Sequence, residues 1–106
     1  MVECTKSDWK LFKNKIVEWQ ERYMEKLNKE YIEILSGKES AADKFWKLEE
    51  RVRKDKKHPG VIIEMNKRDV IFNIFRLLDA EVIERDELEE FSEDLKDTVN
   101  FLMSRR

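Results

Sequence analysis

The stretch "RVRKDKKHPG", residues 51–60, concentrates the chemistry this chain has to offer. It holds five of the 22 Lys and Arg residues (Arg51, Arg53, Lys54, Lys56 and Lys57) together with the sole His and the sole Pro. Clustered cations supply the salt-dependent, sequence-independent part of affinity for nucleic acid and other anions, which makes these five the candidate anion-binding residues. Two features favour a plainer reading. Glu49, Glu50 and Asp55 are interleaved with the cations, and basic residues in the last turns of a helix complement the negative end of its dipole. Pro59 disfavours helical geometry in the residue before it, so the stretch reads first as a helix stop and only second as a grip for phosphates.

Other chemistry finds fewer residues. His58 is a conceivable proton donor, but no Ser or Cys nucleophile is visibly partnered with it, and no catalysis is expected. A di-iron bundle needs Glu-x-x-His on two helices and a zinc site needs several Cys or His, whereas this chain has one of each. The acidic run from Asp79 puts Glu81 third and Glu90 last in a twelve-residue calcium loop. However, Ile83 falls where an oxygen ligand is required and Glu84 where the turn needs Gly. No metal and no cofactor are expected.

Composition bounds the rest. A chain of 106 residues with 41% hydrophobic and 43% charged residues, two Gly and one Pro has the balance of amphipathic helices with charged outer faces. The formal net charge of -2 gives no overall pull toward nucleic acid or an anionic membrane. Lone Cys4 makes no internal disulfide and fits a reducing cytoplasm. The opening "MVECTKSDWK" lacks the apolar run of a signal peptide and no segment is apolar enough to span a membrane, so a cytoplasmic protein is expected.

The spacing of apolar residues predicts the helices that position these groups. Trp9, Phe12, Ile16, Trp19, Tyr23, Leu27, Tyr31 and Ile34 recur every three or four residues, and Thr5 with Asp8 forms a capping box. Together they predict a long helix over 6–35 that Ser36-Gly37 ends. Ser40 with Asp43 starts a second helix over 41–57. The β-branched run at 61–65 reads as a short extended segment, followed by a third, most buried helix from about residue 67. Its polar sector holds Asp69, Asn73 and Arg76, with Phe72 among its apolar residues. Leu88, Phe91, Leu95, Val99 and Leu102 predict a fourth helix over 85–103. The expected fold is one all-α domain over 1–106, an antiparallel four-helix bundle.

Short connections between antiparallel neighbours would gather like charges. Lys6, Lys10, Lys13, Arg51, Arg53, Lys54, Lys56, Lys57, Arg105 and Arg106 would form a basic pole, and the ten acids of residues 79–97 an acidic one. The third helix is too apolar to read bases as part of a helix-turn-helix.

The first helix, about 45 Å long at 1.5 Å per residue, would overhang the others and leave an unmatched apolar stripe. Trp9, Phe12 and Trp19 on that stripe, with Leu11, Ile32, Trp46 and Phe101 displaced from their helices' main stripes, form the candidate interaction surface. The expected partner is a second copy of the chain, in a homodimer, or another protein.

The stretches "NKEYIEILSG", "DKFWKLEERVRKDKKHPGVIIEM" and "DELEEFSEDLK" resemble a small family of roughly hundred-residue bacterial proteins with no established activity, over most of the chain. The resemblance implies a bacterial cytoplasmic setting and supplies no catalytic or ligand motif. Some members carry a multidrug-transporter label, which conflicts with the lack of a membrane-spanning segment here.

Overall fold

The computed structural model describes residues 3–106. Four helices make up the architecture: α1 (Lys6–Leu35), α2 (Ala41–Asp55), α3 (Val70–Asp79) and α4 (Glu93–Ser104). Single 3-10 turns at Lys67–Asp69 and Arg85–Leu88 precede the last two, and there is no strand among the described residues. The all-helical expectation and the long first helix both hold.

The caps explain where the helices begin. Thr5 and Ser40 each use the side-chain oxygen to accept the backbone N–H three residues on, at 3.0 Å from Asp8 and 3.1 Å from Asp43, satisfying a donor that has no partner within its helix. α2 ends at Asp55, two residues short of the 57 expected.

The expected start of the fourth helix needs correction. Residues 85–88 form only a 3-10 turn, and α4 begins at Glu93 with Ser92 as its cap. The apolar pattern was a sound guide to burial even so, since Leu88, Phe91, Leu95 and Val99 are all buried. The third helix also turns differently from its wheel. Asn73 is buried and its amide donates to the Glu64 carbonyl at 3.2 Å, while Phe72 is 43% exposed.

One core gathers three helices. Phe12, Ile16 and Trp19 of α1 pack with Val70, Ile71, Ile74 and Leu77 of α3 and with Leu95 and Val99 of α4. Val82, Ile83, Leu88 and Phe91 of the α3–α4 connection complete it. The Trp19 ring lies 6.2 Å from Phe12 and 6.4 Å from Phe91 between centroids, distances at which aromatic rings attract beyond their area burial.

All of this occupies the first two thirds of α1. The last third pairs with α2 as an antiparallel hairpin, and the molecule is accordingly elongated, 52 × 28 × 22 Å.

The connection after α3 decides where the charges go. Arg22 donates to the Val82 carbonyl at 3.2 Å and pairs with Glu87 at 2.8 Å, Lys15 pairs with Glu90, and Asp8 holds Ser92. The segment therefore runs back along α1 toward its first turn, and α4 sets out from there in the same general sense as α3. Its end meets the end of α3, where Arg106 pairs with Asp79 at 2.7 Å.

The expected basic and acidic poles do not form. Glu87 and Glu90 lie along α1, and the basic C-terminus sits among Asp79, Glu81 and Glu84. The basic end of α2 stands at mid-molecule rather than beside Lys6, because α2 covers only half the length of α1.

Candidate interaction surface

Leu27 is the last buried hydrophobic residue of α1. Between Asn28 and Lys54, all of them described residues, no side chain is fully buried. Tyr31, Ile34, Leu48 and Val52 along the seam between the two helices are only half buried. Ile32, Leu35, Phe45 and Trp46 are exposed, the last by 63%. Helix periodicity places Met24, Tyr31 and Leu35 of α1 on the same side of the hairpin as Phe45, Leu48 and Val52 of α2. The Phe45 and Trp46 rings meet edge to face, 5.0 Å apart, and steady each other in solvent.

Two shallow hollows open on that side. One, of about 190 Å³, is bordered by Met24, Leu27, Tyr31, Val52 and Val61; the other, of about 350 Å³, by Phe45, Leu48 and Val52 with Glu49, Arg53 and Lys56 at its edge. A small domain normally hides so much apolar surface.

A polar network holds the hairpin together instead of a core. Tyr31 donates its hydroxyl to Asp55 Oδ2 at 2.6 Å, Arg51 Nε lies 3.2 Å from the same oxygen, and Arg51 also bonds Glu30. Burial, then the bond to Asp55, pushes the Tyr31 phenol up to about 12, so it stays a donor. Asp55 is itself buried, which its two donors make tolerable.

The sequence-derived surface needs revision against this arrangement. Phe12 and Trp19 are buried in the chain's own core, and Trp9 and Leu11 are half buried against it, so none of the four is offered to a partner. Periodicity could not distinguish the part of the stripe that α3 and α4 cover from the part left bare. Ile32, Trp46 and Phe101 are exposed, but Phe101, 56% exposed on α4, stands apart from the hairpin. Sequence reasoning missed Leu35 and Phe45, and the signal was available: both fall on the open side of a helix whose only neighbour is another amphipathic helix.

Of the candidate anion-binding residues, Arg51 is committed to Glu30 and Asp55, and Arg53 to Glu49. Lys54 borders a hollow of about 370 Å³ with Ile34 and Lys47, and Lys56 borders the other two hollows. Lys57 lies in the turn after α2. The five residues do not converge on one point.

The remaining chemistry is structural. The buried thiol of Cys4 donates to the Lys67 carbonyl at 3.6 Å, and burial, then Asp8, pushes its pKa up, away from the thiolate that reacts. Among the described residues no group of three or more His, Cys, Asp or Glu side chains is placed to hold a metal ion, and no helix is long and apolar enough to cross a membrane. A cleft of about 770 Å³ lies between the ends of α3 and α4, floored by Leu78, Ile83 and Met103 and rimmed by Glu81, Asp86 and Arg106. Compared with protein-family models, with curated proteins and with solved structures, the chain finds no match.

Proposed function

We infer that this chain is a non-enzymatic protein-interaction module that self-associates through the distal half of its α1–α2 hairpin. The observation that carries this reading is the lack of any fully buried side chain over residues 28–54, beside the exposed Ile32, Leu35, Phe45 and Trp46. A second hairpin laid on the first by a two-fold axis supplies the two missing helices and turns an open pair into a four-helix layer. The edge of the open side carries Glu49 as well as Arg53 and Lys56, so facing copies meet charges of both signs and are not driven apart. Cys4, held as a buried thiol, suits a reducing cytoplasm.

Light scattering behind a sizing column tests the reading. A dimer at tens of micromolar that dissociates in the Trp46→Glu and Phe45→Glu variants, with helical dichroism unchanged, is the expected result. A strict monomer at that concentration overturns it.

A further inference from the structure

Where α2 ends, residues 58–60 close onto α1 through contacts that depend on one another. The His58 imidazole lies parallel to the Tyr23 ring, with centroids 4.7 Å apart and planes inclined by 6°. The Tyr23 hydroxyl oxygen stands 3.3 Å from Nε2. With the rings parallel this is a face contact, because an imidazole N–H lies in the ring plane and does not point at an atom stacked above it. The directed bond is on the other nitrogen, where the Gly60 backbone N–H donates to His58 Nδ1 at 3.0 Å. Gly60 is also flush against Tyr23, since a Cβ there would come within 2.3 Å of Tyr23 Cδ2. Gln20 completes the closure by donating to the Pro59 carbonyl at 3.1 Å.

An imidazole nitrogen accepts only while it carries no proton. The Gly60 bond therefore exists with neutral His58 alone, its hydrogen on Nε2; a proton on Nδ1 would set two N–H groups face to face. The charged and titratable groups around the ring come from three helices: Tyr23 and Lys26 on α1, Asp55 on α2 and Arg76 on α3. Asp55 alone favours a charged imidazole, and it is already engaged by Tyr31 and Arg51. The Lys26 ammonium lies 5.7 Å from the centroid of the Tyr23 ring, so that ring already attracts one cation.

We propose that His58, Gly60 and Tyr23 form an acid-opened clasp at the root of the hairpin, in which a proton taken from solvent on Nδ1 breaks the Gly60 bond that shapes the 58–60 turn and so loosens its seat on Tyr23 of α1. The turn joins α2 to the segment that leads into α3, so its loosening lets the hairpin move against the three-helix core. Burial, ahead of the neighbouring charges, holds His58 below its ordinary value of 6.5, the direction a clasp that works only in the neutral state requires. The clasp does not depend on what the hairpin binds.

A nuclear magnetic resonance titration of the whole chain, from mildly alkaline to about pH 5, follows the His58 ring and the Gly60 amide together. The expected result is a His58 midpoint below 6.5 and a Gly60 amide proton that moves upfield with that same midpoint as its acceptor is lost. In His58→Asn the side-chain oxygen can still accept the N–H two residues on but cannot take up a proton, so the Gly60 response should vanish. A Gly60 amide that ignores the His58 titration overturns the proposal. So does a His58→Asn variant that retains the wild-type pH response; if that variant fails to fold, the wild-type titration decides alone.

Discussion

The carboxylate of Asp8, 2% exposed, accepts two hydrogen bonds from Ser92, one from its backbone N–H at 2.9 Å and one from its hydroxyl at 2.6 Å. The same hydroxyl oxygen accepts the Leu95 N–H at 3.3 Å as the cap of α4. One buried side chain thus ties the first turn of α1 to the point at which α4 begins.

Replacing Asp8 with Ala should cost about 2 to 4 kcal/mol, because it strands two donors in a partly buried site and loosens a helix cap. Asp8→Asn, which keeps one acceptor, should cost less. Urea unfolding followed by dichroism checks both; equal losses in the two variants would mean that the bonds to Ser92 contribute little.

At the other end of α1, Tyr31→Phe removes one of two donors to the buried Asp55 without changing the ring. Hydrogen bonds to charged groups contribute about 1.5 to 3 kcal/mol, and the loss should fall there. A double-mutant cycle with Asp55→Asn isolates the coupling, and a coupling near zero would show that Arg51 compensates.

Two aromatic truncations should part company. Phe12, fully buried, should cost about 3 to 5 kcal/mol as Phe12→Ala and leave association of the folded fraction unaltered. Trp46→Ala should change stability by less than about 1 kcal/mol in the dissociated chain while weakening association. Thermal unfolding at low concentration, set beside sizing at high concentration, separates the two effects.

Acid sensitivity should centre partly on Glu87. Burial works against its charge, but the Arg22 guanidinium at 2.8 Å and the Glu84 backbone N–H at 2.8 Å outweigh it and hold the carboxyl below its ordinary 4.5. A carboxyl depressed by folding contributes stability that is complete above the unfolded value and is lost as pH falls through the folded one. The difference in stability between wild type and Glu87→Gln should therefore be constant above about pH 5 and shrink on further acidification. A difference that stays flat into strong acid would assign the acid sensitivity elsewhere.

Helix existence and most starts were legible because their causes are local. Thr5 and Ser40 cap three residues ahead, and the apolar spacing of α1 marks its inner face over its whole length. The start of α4 was missed although its cap is as local as the others, Ser92 accepting the Leu95 N–H three residues on; only the hold of Asp8 on Ser92, 84 residues away in sequence, lay beyond sequence reading. The charge poles failed for a related reason: the assumption of short antiparallel connections does not foresee a segment that retraces α1 from Arg22 to Asp8. The interaction surface was half legible. Periodicity shows that an apolar stripe must be covered, but only the packed structure tells that Phe12 and Trp19 are covered from within and Ile32 and Trp46 are not.

Because the core stops at Leu27, α1 is a single helix that belongs to two cooperative units. Its amides up to Trp19 should exchange with deuterium only when the whole molecule opens, whereas those from Asn28 to Leu35 should exchange through a cheaper, local separation of two helices. Protection should therefore fall along one uninterrupted helix, with the step near Leu27.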